Sequence, residues 1–474
     1  MRKGRYWLQT LGCPKNQVDS DKLAGLLESD GFAPCGSPDE ADLVVVNTCA
    51  FIEAARQESI DAALELAEVR RPGARLVVTG CMAERYGDEL AAALPEADLV
   101  AGFGRPLVPD APPSAADRSP VELRAPRRRA RPNPAVAPSP ALESFDLLSL
   151  PRPASAAPWA YVKVAEGCDR RCGFCAIPSF RGTQRSRAPQ DVLAEVRMLA
   201  GADEMQVKEV VLVAQDLASY GADRTQRRGL PGRASRPTPL VSLVAALRPE
   251  VARIRLLYLY PSGLTDELVD AVLSTEVPYF DLSLQHVSRP LLARMRRWGE
   301  GERFLERIAA IRRAAPHATF RSSFILGYPG ETEDDHDELL AFLEAAQLDW
   351  AGFFTFSKEA GTIADRLDAQ VPDTLALERL RECAELQDAI TARRRDELVG
   401  QVREVLVDAP GRGRTVHEAP EIDGIVRVPA SLPVGSLAEV VLTSSLGTDL
   451  EGEPVERGAR GRRPEEAVAA GARR

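Results

Sequence analysis

The sequence predicts an α/β protein in three parts: an N-terminal doubly wound α/β domain, a central open (β/α) barrel and a small C-terminal all-β barrel. Three observations carry this. Strand-length apolar runs alternate with helical patterns over residues 5–104 and again over 159–388. A Pro-, Ala- and Arg-rich stretch, 105–158, separates the two series. A short segment with strand patterning and Gly/Pro turns, about 399–450, closes the ordered chain. Drawn at these changes, the parts are residues 4–119, a linker 120–153, 154–393 and 395–453. The Gly-, Arg-, Glu- and Ala-rich tail 454–474 is expected to be disordered.

In the first part, Tyr6–Leu11, Leu43–Thr48, Leu76–Thr79 and Asp98–Ala101 read as buried parallel strands, and Asp19–Ser29, Glu53–Val69 and Glu84–Ala93 as helices. Cys13, Cys49 and Cys81 each follow a strand directly, in Leu-Gly-Cys, Asn-Thr-Cys and Thr-Gly-Cys. An open α/β sheet places all its strand carboxyl ends on one edge, where such folds bind ligands. Three thiols far apart in sequence are therefore expected to converge as the ligands of an iron–sulfur cluster. Cys35 and Cys383 share no such position and read as structural.

The linker holds the run Arg127-Arg128-Arg129-Ala130-Arg131-Pro132 and reads as solvated charge, with a short helix near Leu142–Leu150. Beyond it, six strands are predicted: Tyr161–Ala165, Glu209–Gln215, Arg253–Tyr260, Tyr279–Leu284, Thr319–Leu326 and Asp349–Phe356. Directly after the first comes Cys168-Asp169-Arg170-Arg171-Cys172-Gly173-Phe174-Cys175. The C-x3-C-x2-C spacing gathers three thiolates on one loop. A cubane cluster has four irons, so three ligands leave one iron open to a substrate or cofactor. Structural zinc also takes thiolates, but it wants a fourth protein ligand close by, and no His lies near the loop. Catalytic groups of such barrels sit at strand carboxyl ends. Gln215-Asp216, Tyr260-Pro261-Ser262, Gln285-His286 and Gly327-Tyr328-Pro329-Gly330-Glu331 mark those ends here.

A charged helix (375–398) leads to the last part, where Val402–Val407, Gly424–Val428 and Leu437–Leu442 read as strands of a five-stranded barrel. From 399 to 451 it carries four arginines against eight acidic residues, and the whole chain of 474 residues has a net charge of −10. That balance disfavours broad nucleic-acid binding, which needs a basic surface, and suits a basic partner. The longest apolar runs are strand-length and the N-terminus lacks the apolar stretch of a signal peptide, so the expected location is cytoplasmic, with no membrane span. Eight Cys in such a setting read as metal or redox ligands before disulfides.

The cysteine loop resembles that of the radical S-adenosylmethionine (radical SAM) enzymes. The whole order of strand-end Cys triplet, radical SAM loop and small barrel resembles the methylthiotransferase family, whose C-terminal module is a TRAM domain. Within it, Gly12-Cys13-Pro14-Lys15-Asn16, Ala214-Gln215-Asp216-Leu217-Ala218-Ser219-Tyr220-Gly221 and Glu418-Ala419-Pro420-Glu421-Ile422-Asp423-Gly424 are similar to the branch that acts on small-subunit ribosomal protein S-twelve. The tRNA-modifying branch usually reads Gly-Cys-Gln-Met-Asn at the first. Glu418 departs from the Asp usual at its position, and the linker is longer and richer in Arg. The resemblance implies methylthiolation of an aspartate β-carbon, with one SAM as methyl donor and another as the source of a 5′-deoxyadenosyl radical. It implies two 4Fe–4S clusters, one on Cys168, Cys172 and Cys175 and an auxiliary one on Cys13, Cys49 and Cys81. Phe174, Gln215, Gln285 and Gly327 are the implied SAM contacts. S-twelve is the implied substrate, docking through the acidic TRAM module, with a flavodoxin or ferredoxin as electron donor. Nucleic acid is not expected as substrate; the alternative is a tRNA adenosine methylthiotransferase.

Overall fold

A computed structural model describes residues 3–108, 146–203, 205–224 and 237–455. The chain divides into two compact units, Met1–Gly12, Asp19–Ala50 and Ala55–Arg152 in the first, and Cys13–Val18, Phe51–Ala54 and Pro153–Arg474 in the second. Among the described residues no helix is long and apolar enough to cross a membrane.

In order along the chain, the first unit carries β1 (Gly4–Thr10), α1 (Pro14–Ser29, its first turn assigned to the second unit), β2 (Phe32–Pro34) and β3 (Leu43–Thr48). It continues with α2 (Glu53–Val69), β4 (Arg75–Gly80), α3 (Cys81–Ala93) and β5 (Leu99–Ala101). The strands form one sheet in the order β2-β1-β3-β4-β5, with every pair parallel. Period-2 alternation sorts the side chains: Leu43, Val45 and Val77 pack with Leu23 and Leu27 of α1, while Val44, Val46 and Leu76 pack with Leu66 of α2. Both faces are covered, which is why β3 reads as a continuous apolar run. The order reverses between β1 and β3, the point where a doubly wound sheet offers its ligand crevice. Thr48 and Gly80 are register partners, so Cys49 and Cys81 leave adjacent strands at one level.

Several bounds shift by a few residues from the sequence reading, α3 starting at Cys81 rather than Glu84, and two differences have a physical reason. Helix α1 begins at Pro14 rather than Asp19, because proline is well placed in a first helical turn, where its missing N–H costs nothing. The edge strand β2 is three residues long, too short to show a period, and ends on a proline that an edge tolerates. Of the expected helix near 142–150, residues 146–150 form a turn and 142–145 lie outside the described residues, as do the Arg run of the linker and the tail from 456.

The second unit opens with β6 (Trp159–Lys163), β7 (Ala165–Glu166), α4 (Ile177–Arg181), β8 (Arg185–Ser186) and α5 (Pro189–Ala200). Then come β9 (Glu209–Val213), α6 (Pro239–Leu247), β10 (Arg253–Leu256), α7 (Asp266–Leu273), β11 (Tyr279–Gln285) and α8 (Arg289–Arg294). The barrel ends with α9 (Gly301–Ala314), β12 (Thr319–Leu326), α10 (Glu333–Ala346), β13 (Trp350–Thr355) and α11 (Asp373–Asp396). Parallel sheets β6-β9-β10 and β11-β12-β13 meet through one bridge, Leu259 to Leu282, making an open six-stranded barrel. Val162, Val210, Leu212, Ile254, Leu256 and Phe280 face the helices and form the main core. Their neighbours Tyr161, Val211, Val213, Leu257 and Tyr279 turn inward and are joined there by Val18 of α1 and by Ala419. The interior is packed, as small barrels require.

Ala419 belongs to the small barrel, a closed β14-β15-β16-β18-β17 arrangement of Val402–Ala409, Arg412–Arg414, Val426–Arg427, Leu437–Leu446 and Asp449–Pro454 (β14 to β18 in chain order) around Val405, Val426, Val440, Leu442 and Leu450. Its acidic signature is a seam and not a solvated surface. Glu418 is fully buried, paired with Arg395, and accepts from the Thr415 backbone N–H and hydroxyl at 2.7 Å. Asp423 accepts from Tyr279 Oη at 2.6 Å and lies 3.5 Å from Arg321. Of the three, only Glu421 is an exposed residue. The expectation that this whole segment docks a basic partner is therefore corrected: the net acidity of the module counts charges already neutralised by arginines of α11 and β12. Deeper in the seam Glu209 holds Arg255 at 2.7 Å and Arg414 at 3.1 Å, and Tyr161 Oη donates to the Pro420 carbonyl at 2.8 Å.

Candidate functional site

Strands β7 and β8 pair antiparallel, Ala165 with Ser186 and Glu166 with Arg185, and the loop they close carries the three thiols. Gly167 starts that loop at φ +76°, and a Cβ there would meet the Thr183 carbonyl oxygen at 2.2 Å, so only glycine fits. The Cys168 N–H donates to the Gly182 carbonyl at 3.0 Å, and the Cys175 N–H to that of Cys172 at 3.2 Å. Gly173 is held on both sides, donating to the Met295 carbonyl at 2.8 Å and accepting from the Ala364 N–H at 2.9 Å. The thiols are thus positioned by backbone and not by each other.

Their electrostatics ask for a cation. Burial pushes Cys168 up to about 11 and Cys175 up to about 12, so both stay neutral unless a metal supplies charge. Donors line the sulfurs: Arg297 Nη1 is 3.2 Å from Cys172 Sγ, and the Arg170 N–H is 3.4 Å from Cys168 Sγ. Tyr260 is shared by both arginines, its ring centre 3.8 Å from the Arg170 guanidinium and 4.4 Å from that of Arg297. Among the described residues no three His, Cys, Asp or Glu side chains converge as a single-ion site.

Beside the loop, two buried acceptors lack a donor. Gln215 donates from Nε2 to Glu166 Oε1 at 2.7 Å, yet its Oε1 has no partner. Asp216 accepts from Arg170 Nε at 2.7 Å and Ser219 Oγ at 2.6 Å through Oδ2, leaving Oδ1 unpaired. Orphaned buried acceptors suit a ligand rich in N–H and O–H groups, as the ammonium and ribose of SAM are. The donor set and these acceptors fit a three-thiolate cluster with SAM at its open iron. Gln285 ends β11 at φ +72°, on the same carboxyl edge. Phe174 is packed in the main core, and Gly327 sits at φ +75° where a Cβ would meet Ala376 Cβ at 2.5 Å.

Sequence reasoning missed the buried polar chain that supports the loop. Glu166 takes Lys163 Nζ at 2.6 Å and Arg181 Nη1 at 2.9 Å on both oxygens; Arg181 Nη2 reaches Asn16 Oδ1 at 2.7 Å. Burial alone would raise the Glu166 carboxyl, but Arg181 and Lys163 outweigh it and hold it well below the usual range. The available signal was a charge at an inward strand position, Lys163 in Trp-Ala-Tyr-Val-Lys. Cys13 lies at the start of α1 in the same unit; burial raises its thiol, while the charges of Lys15 and Arg181 outweigh that and lower it. Cys49 and Cys81, in the first unit, are both buried; Cys49 accepts from Ser59 Oγ at its carbonyl and donates to it at 3.1 Å from its N–H.

Residues 5–102 match the uncharacterized protein family UPF0004, 162–343 the radical SAM superfamily and 399–455 the TRAM domain. The chain is 42% identical to the "Ribosomal protein uS12 methylthiotransferase RimO" of Kineococcus radiotolerans, over 95% of this chain and 97% of that one. The proteins of the same name from Streptomyces coelicolor and Moorella thermoacetica are each 41% identical, over 94% and 92% of this chain and 96% and 95% of theirs. A solved structure of the cobalamin-dependent radical enzyme OxsB, with aqua-cobalamin and S-adenosylmethionine bound, is similar at a TM-score of 0.43 and 12% identity, over 81% of this chain and 56% of that one.

Proposed function

Since the chain belongs to the ribosomal protein uS12 methylthiotransferase RimO family, we propose that it inserts a methylthio group at the β-carbon of an aspartate in uS12. The observation that carries the reading is the near full-length identity of 42% together with a C-x3-C-x2-C loop built by backbone bonds beside two donorless acceptors.

Cys168, Cys172 and Cys175 would hold a 4Fe–4S cluster, which would supply one-electron reduction of SAM, and Cys13, Cys49 and Cys81 would hold a second, which would supply sulfur chemistry. The chain's own residues do the rest. Gly167 and the Gly182 carbonyl fix the loop, and Glu166, clamped by Lys163 and Arg181, holds Gln215 in place with its Oε1 free to accept. Asp216 offers a second free acceptor to an N–H or O–H of SAM. Tyr260, gripped by Arg170 and Arg297, fixes the two arginines whose N–H groups reach Cys168 and Cys172. The auxiliary thiols are assigned because each follows a strand of one parallel sheet, at or beside its topological switch point. An external one-electron donor of the flavodoxin or ferredoxin kind completes the reaction.

The test is mass spectrometry of uS12 and of bulk tRNA from cells lacking this protein, alongside the anaerobically reconstituted enzyme acting on each. Loss of the methylthio group from uS12 alone supports the reading. Loss from a tRNA adenosine, with uS12 unchanged, replaces it with the tRNA-modifying one that a TRAM domain also accommodates.

A further inference from the structure

The chain carries a net charge of −10, yet the rim of the cysteine loop is basic. Gly173 donates to the Met295 carbonyl at 2.8 Å and accepts from the Ala364 N–H at 2.9 Å. Those two bonds gather three segments, and each brings exposed arginines. Arg171 adjoins Cys172, Arg294 and Arg296 flank Met295, and Arg366 lies two residues beyond Ala364. Burial raises the Tyr328 hydroxyl, and the charges acting on it are Arg294, Arg296 and Cys172, so all three lie about one side chain. Among the described residues none of the four arginines forms an ion pair; Arg294 Nε donates to the Pro329 carbonyl at 3.0 Å. Of the acids on the same segments, Asp169 turns to the Gln184 N–H at 3.1 Å and Asp365 is 3.9 Å from Lys358, which leaves Asp368 against four arginines.

Arg296 is also held at a cost. Helix α8 ends in a Schellman turn, with the Arg297 N–H on the Leu292 carbonyl at 2.8 Å and the Arg296 N–H on that of Ala293 at 3.0 Å. The turn puts one residue in the left-handed region, where glycine is usual, and here that residue is Arg296 at φ +55°. A positive charge at a helix C-terminus is favourable in itself, but Arg294 already supplies it. A residue that strains its backbone, and brings the fold neither burial nor an ion pair, points outward for its use. Trp298, one residue past the turn, is 44% exposed, and an aromatic beside arginines is the composition of a protein-docking surface.

We propose that this arginine rim docks an acidic one-electron donor protein beside the loop of Cys168, Cys172 and Cys175. The inference rests on the radical SAM reading above. Each reductive cleavage of SAM takes one electron: the sulfonium becomes the neutral sulfide of methionine, an odd electron stays on carbon, and the donor is oxidised by that one electron. The electron comes from outside the chain and has to enter near the thiols, which is where the arginines stand. An acidic donor is repelled by the chain as a whole, and a local basic rim steers it to this one place. The rim repels a basic polypeptide, so it is not the seat of the basic partner that the rest of the chain suits.

The experiment uses the full-length chain and a purified flavodoxin of acidic pI. Binding is titrated first, without SAM. Arg296→Glu combined with Arg366→Glu should weaken it by roughly tenfold or more at low salt, the lower end of electrostatic steering, and the gap should narrow as salt is added. Lysine at both positions should keep most of the affinity. In anaerobically reconstituted enzyme the double reversal should slow 5′-deoxyadenosine formation driven by reduced flavodoxin to a similar extent, and leave that driven by dithionite unchanged. Arg296→Gly should melt at a higher temperature than wild type while binding flavodoxin less tightly, a split that a purely structural arginine does not give. Equal flavodoxin affinity in wild type and double reversal overturns the proposal, as does a dithionite-driven rate that falls along with the flavodoxin-driven one. Retained flavodoxin binding with loss of binding to bulk RNA also overturns it and assigns the rim to phosphates. If wild type forms no 5′-deoxyadenosine even with dithionite, the proposed function falls; if it does, and flavodoxin ignores the arginines, this inference alone falls.

Discussion

Tyr279 of β11 and Asp423 of the small barrel, 144 residues apart, share a hydrogen bond of 2.6 Å that is buried within the second unit. The Asp423 carboxylate also takes the Ala419 N–H at 2.8 Å and faces Arg321, so it closes a turn and joins two folds with one side chain.

Reversing that charge should be far worse than reversing its neighbour. Asp423→Lys buries an ammonium beside Arg321 and should cost about 3–5 kcal/mol, the range for breaking a buried pair. Glu421→Lys, on the exposed position, should change stability by no more than about 0.5 kcal/mol. Denaturant unfolding of the two variants checks this; equal losses would show that the turn, and not the buried contact, carries the energy.

The two cysteine triplets should separate by function. An Ala triple variant at Cys168, Cys172 and Cys175, or at Cys13, Cys49 and Cys81, should each hold about four irons against about eight for wild type. Cys172→Ala should abolish 5′-deoxyadenosine formation. Cys49→Ala should retain it and lose sulfur insertion, read by mass spectrometry of uS12. Unchanged iron in the N-terminal triple variant would remove the auxiliary cluster.

Gly327 was expected to touch SAM, and its backbone offers a different test. With φ +75° and Ala376 Cβ in the way at 2.5 Å, Gly327→Ala should cost about 2–4 kcal/mol from strain and overpacking together. Adding Ala376→Gly should return about 1 kcal/mol of that in a double-mutant cycle, beyond what each change does alone. A SAM contact without this packing role would show no such coupling, only a raised KM for SAM.

Acid should weaken the seam through histidine. Burial holds His417 down at about 4, with its ring 2.6 Å from Thr319 Oγ1. An unfolded histidine takes its proton near 6.5, so as pH falls from 6.5 toward 4 the unfolded chain binds a proton the fold refuses, and stability drops. The full effect is about 3 kcal/mol. His417→Gln should therefore lose less stability than wild type between pH 7 and pH 5, whatever its stability at pH 7, as thermal melts at the two pH values would show.

The strands were legible because burial on two faces writes itself as apolar runs: Leu43–Thr48 and Thr319–Leu326 match their predicted bounds. The cysteine loop was legible because metal ligation fixes residue type and spacing at once. Charge was not. Arg253, Arg255 and Arg414 sit fully buried, yet in sequence they look like any surface arginine, since their carboxylate partners Glu404, Glu209 and Asp408 lie elsewhere in the chain or unmarked beside them. The same blindness made Glu418 and Asp423 read as a docking face.

The seam also limits how such a protein can be recombined. Glu209, Arg253 and Arg255 of the large barrel bond to Arg414, to Glu404 and to the Val416 carbonyl, all from the small one. A chimera that exchanged the small barrel for another of the same shape would strand those charges unless the incoming module brought the same partners. The two halves must therefore change together, one compensating substitution at a time, and a module that looks portable in sequence is tied to its host by electrostatics.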